Sequence, residues 1–119
     1  MVIQLKRAYE PPTPDDGFRI LVDRLWPRAV SKDSAQIDLW LKEIAPSAEL
    51  RRWFCHDPSK WAEFRTRYFR ELDEHPDAVA QLCEFTRKGP VTLVYGARDQ
   101  EHNDAVALKE YLESHEDGS

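Results

Sequence analysis

Two arginines and a tryptophan directly follow a short apolar segment of the chain. Residues 20–22 have the composition of a buried strand, and Arg24, Trp26 and Arg28 come just after them. Ligands of open α/β sheets bind outside the carboxyl ends of the strands. The arginine fork grips carboxylate or phosphate with two hydrogen bonds, and a tryptophan ring stacks on planar groups. The sequence therefore predicts a pocket for an anionic ligand at the end of this strand.

A second strand end carries further candidate residues. The apolar residues 91–95 are typical of a central strand, and a helix is predicted over about 100–114. Between them, Gly96 would let a ligand approach the backbone, and N–H groups at the start of the helix would point at an anion. The loop lacks the additional glycines and the Lys-Ser/Thr pair of a P-loop. Its acids, Asp99 and Glu101, equally suit capping of the helix.

The two strand ends form one site if strands 19–23 and 91–95 are parallel neighbours. Arg98 would then join the two earlier arginines as an anion ligand, and Tyr95 would line the pocket. His102, in the first turn of the last helix, is the predicted proton-transfer residue. The competing interpretation is structural, with ion pairs to nearby carboxylates for the arginines and core filling by the tryptophan. We expect at least one such ion pair among the three arginines.

Composition limits the classes of function. A chain of 119 residues suffices for one domain, and its 11% of aromatic residues argues against disorder. A net charge of −5 opposes binding to nucleic acid or to an anionic membrane. The apolar runs are far shorter than a membrane-spanning helix needs, and the N-terminus has no signal-peptide pattern. We therefore expect a cytoplasmic protein without a membrane partner.

The cysteines and histidines indicate neither a disulfide scaffold nor a metal centre. Cys55 and Cys83 are too few for a disulfide framework, and no pair of His or Cys residues has metal-ligand spacing. Cys55 would be a nucleophile only beside a base that stabilises its thiolate. His56 precedes a helix cap and is interpreted as a local hydrogen-bonding residue. The sequence identifies no cofactor.

The first half of the chain is predicted to alternate strands and loops. A strand over residues 2–5 is followed by a proline-rich loop over 9–17, which is either a solvated connector or a flap anchored by Tyr9. Ser31 is placed to cap a helix. Residues 37–44 fit both helical and strand periodicity, and we favour a short helix followed by an extended segment around residues 38–44.

The second half is predicted to be mainly helical. Ser47 would cap a short helix, and Asp57 followed by proline would begin a longer one that ends near residue 74. The next helix would begin at Pro76 and end at Gly89 as a left-handed cap.

These elements together predict the fold class. Strands that alternate with helices indicate a small three-layer α/β domain with a mostly parallel central sheet flanked by helices. No repeat or shift of composition divides the chain, so residues 1–119 are predicted to be a single domain. Residues 115–119 have the polar composition of a frayed tail.

Four ordered motifs are similar to those of one bacterial family. They are residues 22–28, 40–47, 53–58 and 95–103. With them the chain, from about residue 2 to 113, resembles the YeaO-like family, a branch of a widespread bacterial domain of unknown function. The resemblance implies a single α/β domain in a bacterial cytoplasmic protein and supplies no established activity. Some members are labelled transcriptional regulators, but no helix-turn-helix pattern is present here.

Three positions depart from the pattern of that family. The resemblance implies glycine where this chain has Ala29 and Cys55, and often a second histidine where it has Asp104. A cysteine that the relatives lack is not the nucleophile of the family. The loss of the histidine leaves His102 alone and argues against a two-histidine mechanism.

Three hypotheses on function follow. The first is binding or turnover of a small phosphorylated or carboxylated molecule at the strand ends, and the sequence does not decide whether a reaction occurs. The second is a nucleic-acid-associated or regulatory module without catalysis, with a basic ridge of Arg19, Arg24, Arg28 and Lys32. The third is an interaction protein whose Trp40 and Trp53 lie at a subunit contact, as in an oligomer. We favour the first.

Overall fold

A four-stranded parallel sheet forms the centre of the chain, and the computed structural model describes residues 2–115 around it. The strand order is β1-β4-β2-β3, with every neighbouring pair parallel. The strands are β1 (Ile3–Arg7), β2 (Phe18–Leu21), β3 (Leu39–Trp40) and β4 (Val91–Tyr95).

Five helices accompany the sheet within the described residues. They are α1 (Lys32–Ala35), α2 (Ala48–Phe54), α3 (Trp61–Asp73), α4 (Pro76–Lys88) and α5 (Asp104–Ser114). Ser31 and Ser47 cap α1 and α2 as predicted, since each side chain accepts an N–H of the first turn. Asp57 caps a short 3-10 helix, Pro58–Lys60, which leads into α3.

The sheet is apolar on both faces, which explains the continuous apolar runs of β2 and β4. On one face, Ile20 and Leu93 belong to the main core, which helices α2 to α5 complete. On the other face, Leu21 and Val94 pack in a smaller cluster with Trp26 and its neighbours. The prediction of an α/β domain with a parallel central sheet flanked by helices is confirmed.

The pairing of β2 with β4 determines where the site lies. Ile20 lies opposite Leu93 and Leu21 opposite Val94, so the two strands are parallel and end together. The predicted adjacency is therefore correct, although β2 ends at Leu21 instead of residue 23. The chain segments that leave these two strands emerge at the same edge of the sheet.

Several boundaries differ from the predictions. The predicted order of a short helix and then an extended segment is correct, since α1 precedes β3, but only residues 39–40 form a strand and Lys42–Ile44 form a 3-10 helix. The proline-rich loop contains a 3-10 helix, Pro14–Asp16. Gly89 has φ 164°, so it is extended and not a left-handed cap. The reason is the following proline, which disfavours a helical backbone at the residue before it.

The start of the last helix was also predicted wrongly. The Asp99 carboxylate accepts the backbone N–H groups of Glu101 and His102, which forms a separate turn ahead of the helix. Asn103 is the N-cap of α5, and its side chain accepts the N–H of Val106 at 2.9 Å. His102 therefore lies in the loop before α5 and not in its first turn.

The C-terminal end of α5 is packed as far as the structure describes it. His115 donates its backbone N–H to Tyr111, and the two rings stack with centroids 4.1 Å apart. Residues 116–119 of the predicted tail lie outside the described residues. No helix within residues 2–115 is both long and apolar enough to cross a bilayer.

Candidate functional site

A cavity of about 720 Å³ opens at the edge of the sheet where β2 and β4 end. Its walls come from the loop after β2, from α2 and the residues that follow it, and from the loop between β4 and α5. Five residues predicted from the sequence line it: Arg24, Trp26, Arg28, Gly96 and His102. The structure thus brings most of the predicted site together.

Four arginines lie around this cavity, and we call Arg24, Arg28, Arg51 and Arg52 the arginine rim. All four are exposed at the mouth. Among residues 2–115 none of them forms an ion pair with a carboxylate. Arg24 Nη2 lies 3.4 Å from the carbonyl oxygen of Pro46. The ion pair expected for at least one of Arg24, Arg28 and Arg98 is absent from the described part of the chain.

The sequence did not identify Arg51 and Arg52 as site residues. They form the basic last turn of α2, just before the left-handed residue that ends this helix. Within the sequence they look like ordinary helix-terminal cations, which interact favourably with the helix dipole. Only the packing of α2 against α3, with Leu50 and Phe54 in the main core, brings them to the cavity.

Two carboxyl groups lie deeper in the same cavity, and we call Asp23 and Asp104 the acid pair. Both are half-buried. Burial, together with the charge of Asp23, raises the pKa of Asp104 well above its usual range. Repulsion between two neighbouring carboxylates adds to burial in favouring the protonated form of Asp104.

Gly96 lines the cavity beside this acid pair. Its backbone N–H donates to Asp23 Oδ2 at 2.8 Å. A Cβ at this position would lie 3.3 Å from the same oxygen and 3.7 Å from Pro27. The Gly96 N–H is therefore not free to bind an anion, and the close approach of a ligand to this glycine stays a prediction.

His102 lines the cavity in a fixed orientation. Its Nδ1 lies 2.9 Å from Asp99 Oδ2, and its ring meets that of Trp61 edge-on at 5.3 Å. The N–H groups of Glu101 and the His102 side chain lower the pKa of Asp99, which keeps it ionised. The carboxylate orients the imidazole and leaves Nε2 as the nitrogen available to a ligand.

The remaining two predicted residues do not line the cavity. Tyr95 is only 3% exposed and belongs to the main core, and its burial raises the pKa of its hydroxyl. Arg98 is exposed on the loop after β4 and is not among the cavity-lining residues.

Aromatic side chains hold the loops that surround the mouth. Trp26 donates its indole N–H to the carbonyl of Val30 at 2.6 Å and contacts Trp40 edge-on. Tyr9 donates its hydroxyl to the carbonyl of Arg28 at 3.0 Å and itself lines the cavity. The proline-rich loop thus reaches the rim through Tyr9, as the flap interpretation requires.

Three non-glycine residues near the cavity have left-handed backbone. Ala29 has φ 62°, and the consecutive Cys55 and His56 have φ 46° and 55°. Ala29 and Cys55 are the two positions at which the family resemblance implies glycine. Glycine adopts this region without steric cost, so the implied glycines agree with the observed backbone.

Two other hypotheses lose residues in the structure. Arg19 of the predicted basic ridge is only 3% exposed, and its Nη1 donates to Asp16 at 2.6 Å. It cannot contact nucleic acid. Trp40 and Trp53, predicted at a subunit contact, are half-buried, and the Trp40 indole donates to the carbonyl of Asp23 at 2.8 Å. Within residues 2–115 no three His, Cys, Asp or Glu side chains gather as a metal site.

Comparisons with known proteins find relatives along almost the whole chain. A family model described as "Inactive DUF488-N3 subclade" matches residues 2–118. The uncharacterised protein YeaO of Escherichia coli is 44% identical over 114 residues, which is 96% of this chain and 99% of that protein. The chain belongs to this YeaO-like family. Family membership confirms the resemblance seen in the sequence, and it supplies no activity.

Mycobacterial relatives belong to the same group. The uncharacterised protein Rv3073c of Mycobacterium tuberculosis is 40% identical over 110 residues, 92% of each chain. The uncharacterised protein Mb3100c of Mycobacterium bovis matches with the same identity and coverage. No solved structure matches the chain significantly.

Proposed function

We propose that this protein binds a small phosphorylated or carboxylated molecule in the cavity, with the anionic group held by the arginine rim. One observation carries the proposal: four arginines from two separate segments surround one cavity without carboxylate partners among residues 2–115. Guanidinium groups in such a position are free to make the paired hydrogen bonds that phosphate and carboxylate accept.

The size and lining of the cavity support a ligand larger than an inorganic anion. A volume of about 720 Å³ lies within the range of sites for metabolite-sized molecules. Its walls include the apolar side chains of Trp26, Phe54 and Phe64. We therefore expect an organic ligand whose body contacts these walls and whose charged end faces the rim.

Binding without turnover is the mode that we favour. The description of the matching family as an inactive subclade supports it. His102 is the residue best placed for proton transfer, because Asp99 fixes its ring while Nε2 stays available. In our proposal it donates a hydrogen bond to the ligand, and its catalytic role stays a prediction. Any turnover of a bound ligand should disappear in His102→Asn.

The experiment that tests the proposal is a ligand screen on the full chain. Inorganic phosphate, nucleoside monophosphates, sugar phosphates and di- or tricarboxylates are assayed by thermal shift, and hits are titrated by calorimetry. A true ligand raises the melting temperature in proportion to the logarithm of its concentration. Arg51→Met should weaken its binding on the order of 10- to 100-fold, the loss expected for a charge-assisted hydrogen bond.

Two control variants make the result specific. Arg87 is exposed in the last turn of α4 and does not line the cavity, so Arg87→Met should bind as tightly as the parent protein. Arg98→Met tests the sequence prediction for that residue, and the cavity predicts unchanged binding. Equal weakening by Arg51→Met and Arg87→Met would mean that net charge and not the rim is responsible, and would refute the proposal.

Two finer predictions belong to the same hypothesis. We propose that the protein acts in the cytoplasm, where phosphorylated metabolites are abundant. An oligonucleotide included in the screen tests the nucleic-acid alternative, whose affinity would have to fall steeply with salt. With Arg19 buried, we expect no such binding.

A further inference from the structure

A single carboxylate of α3 holds the start of α2. Glu71 Oε1 accepts the backbone N–H of Ser47 at 2.8 Å, and Glu71 Oε2 accepts the Ser47 hydroxyl at 2.6 Å. The same serine oxygen accepts the N–H of Leu50, which makes Ser47 the N-cap of α2. Glu71 is half-buried and is not one of the cavity-lining residues. Both of its oxygens thus bind the residue from which α2 begins.

This contact completes a capping box from outside the helix. In a local capping box, a glutamate three residues after the cap accepts the N–H of the cap residue. Leu50 occupies that position in α2 and belongs to the main core, so its side chain has no acceptor to offer. Glu71 supplies the carboxylate from a different helix. The start of α2 is therefore tied to α3.

The same face of α3 holds the segment just before α2. Tyr68, one turn before Glu71, donates its hydroxyl to the carbonyl of Ile44 at 2.6 Å. The segment between these two contacts includes Pro46, which lines the cavity and whose carbonyl oxygen lies 3.4 Å from Arg24 Nη2. Because residues three positions apart lie on one face of a helix, Tyr68 and Glu71 together position both ends of this segment.

We propose that Glu71 is a positioning residue of the candidate site, which holds α2 so that Arg51 and Arg52 line the cavity. The inference rests on the proposed function, since it concerns two arginines of the same rim. A helix of seven residues is too short to be stable by itself, so its place depends on contacts with the rest of the protein. Leu50 and Phe54 pack one side of it into the main core, and Glu71 fixes the end from which it begins.

Removal of the Glu71 carboxylate should weaken the binding of an anion, although it removes a negative charge. Without these two hydrogen bonds, α2 is held less firmly and is less often in the position that lines the cavity. The apparent affinity falls with the fraction of binding-competent protein, and hydrogen bonds to a charged group change this fraction on the order of 10-fold. A purely electrostatic effect has the opposite sign, because a less acidic protein attracts anions more strongly.

Two alanine variants of α3 in the full chain provide the test. Glu71→Ala removes the contact with α2, and Asp73→Ala removes the carboxylate that accepts the Tyr111 hydroxyl of α5 at 2.6 Å. Each variant loses one negative charge and one contact between helices. Inorganic phosphate, pyrophosphate and citrate are titrated by calorimetry. We expect Glu71→Ala to bind them on the order of 10-fold more weakly than the parent protein. Asp73→Ala should bind them as tightly as the parent protein does.

Two further measurements separate positioning from a general loss of stability. Hydrogen exchange followed by mass spectrometry should be faster in the peptide that contains α2 in Glu71→Ala, and unchanged there in Asp73→Ala. Glu71→Gln keeps an acceptor for the Ser47 N–H and offers a donor to the Ser47 hydroxyl oxygen, so it should restore both the affinity and the slow exchange. If Glu71→Ala does not fold, Ser47→Ala replaces it, because it removes the hydroxyl and keeps the N–H.

The positioning role of Glu71 is refuted if Glu71→Ala and Asp73→Ala bind these anions with equal affinity. It is also refuted if binding weakens without faster exchange in α2, or if Glu71→Gln binds as weakly as Glu71→Ala, which would assign the effect to charge. If the parent protein binds none of the three anions, the proposed function fails for them. The exchange of α2 would then still decide whether Glu71 positions this helix.

Discussion

Replacement of Ala29 by glycine should stabilise the protein, although the same change destabilises most proteins. Ala29 is exposed in the turn after Pro27, and its φ of 62° lies in the left-handed region. An L-residue there costs about 1–2 kcal/mol in steric strain. Glycine has no such strain, but it makes the unfolded chain more flexible, which lowers the free energy of unfolding by roughly 0.5–1 kcal/mol. The difference predicts a gain of about 0.5–1 kcal/mol in the free energy of unfolding.

Ala80 provides the matched control for this prediction. It is exposed as well, but lies in the middle of α4, where the backbone is helical. Ala80→Gly should lose about 1 kcal/mol, the difference in helix propensity between the two residues. The same chemical change thus has opposite expected signs, and only the backbone conformation distinguishes the two sites.

Urea unfolding followed by tryptophan fluorescence and circular dichroism measures both effects. In thermal unfolding, 1 kcal/mol shifts the melting temperature by about 4 °C for a domain of this size. Ala29→Gly should therefore melt a few degrees above the parent protein and Ala80→Gly a few degrees below it. If Ala29→Gly loses as much stability as Ala80→Gly, residue 29 is not left-handed in solution. A left-handed backbone would then not account for the glycine that the family resemblance implies at this position.

Three further predictions use other features of the structure. Cys55→Gly should gain about 1 kcal/mol in urea unfolding, because Cys55 ends α2 at φ 46°. Asp16→Asn should cost about 3 kcal/mol at neutral pH, since it breaks a buried ion pair. Burial alone would raise the pKa of Asp16, but hydrogen bonds from Lys6 and its other partners hold it below the ordinary 3.8. The parent protein should therefore exceed the variant in free energy of unfolding by the full amount above that pH. In urea titrations this difference should shrink as the pH falls below it. Tyr111→Phe should cost about 1 kcal/mol, because the hydroxyl donates to Asp73 at 2.6 Å. Burial and Asp73 raise the pKa of Tyr111 to about 12, so this difference should be constant below pH 10 and vanish as the pH rises through 12. In either case, a difference in the free energy of unfolding that does not change with pH would contradict the contact assigned to Asp16 or to Tyr111.

Local signals accounted for the parts of the fold that were predicted correctly. The apolar residues of β2 and β4 indicate strands covered on both faces, and the smaller cluster behind Leu21 and Val94 shows that the second face is indeed covered. Ser31 and Ser47 identify helix starts because a hydroxyl before a helix accepts an N–H of its first turn. Such signals act over a few residues and survive without tertiary context.

The errors came where several local solutions compete. Residues 99–104 offer Asp, Asn and Asp again as caps, and the helix begins after Asn103 because this side chain is buried at 3% exposure. Burial of a cap is decided by packing, which the local sequence does not contain. At Gly89 the competing signal is local, since the next residue is proline and favours an extended backbone before it.

The candidate site also has residues that local sequence signals predict and residues that only tertiary packing places there. Arg24, Trp26 and Arg28 could be found because they follow a strand directly, and the strand end places them at the edge of the sheet. Arg51 and Arg52 could not, since they reach the cavity only through the packing of α2. The rim consists of both groups, so about half of it was visible in the sequence.

Residue 104 determines which groups the cavity offers to a ligand. With aspartate there, two carboxyl groups line the wall, one anchored by the Gly96 N–H and the other by the Ala105 N–H. The histidine that the family resemblance often implies at this position would instead be an imidazole, which exchanges protons near neutral pH. A two-histidine mechanism needs that second imidazole beside His102. The aspartate removes it, which agrees with the binding without turnover that we propose.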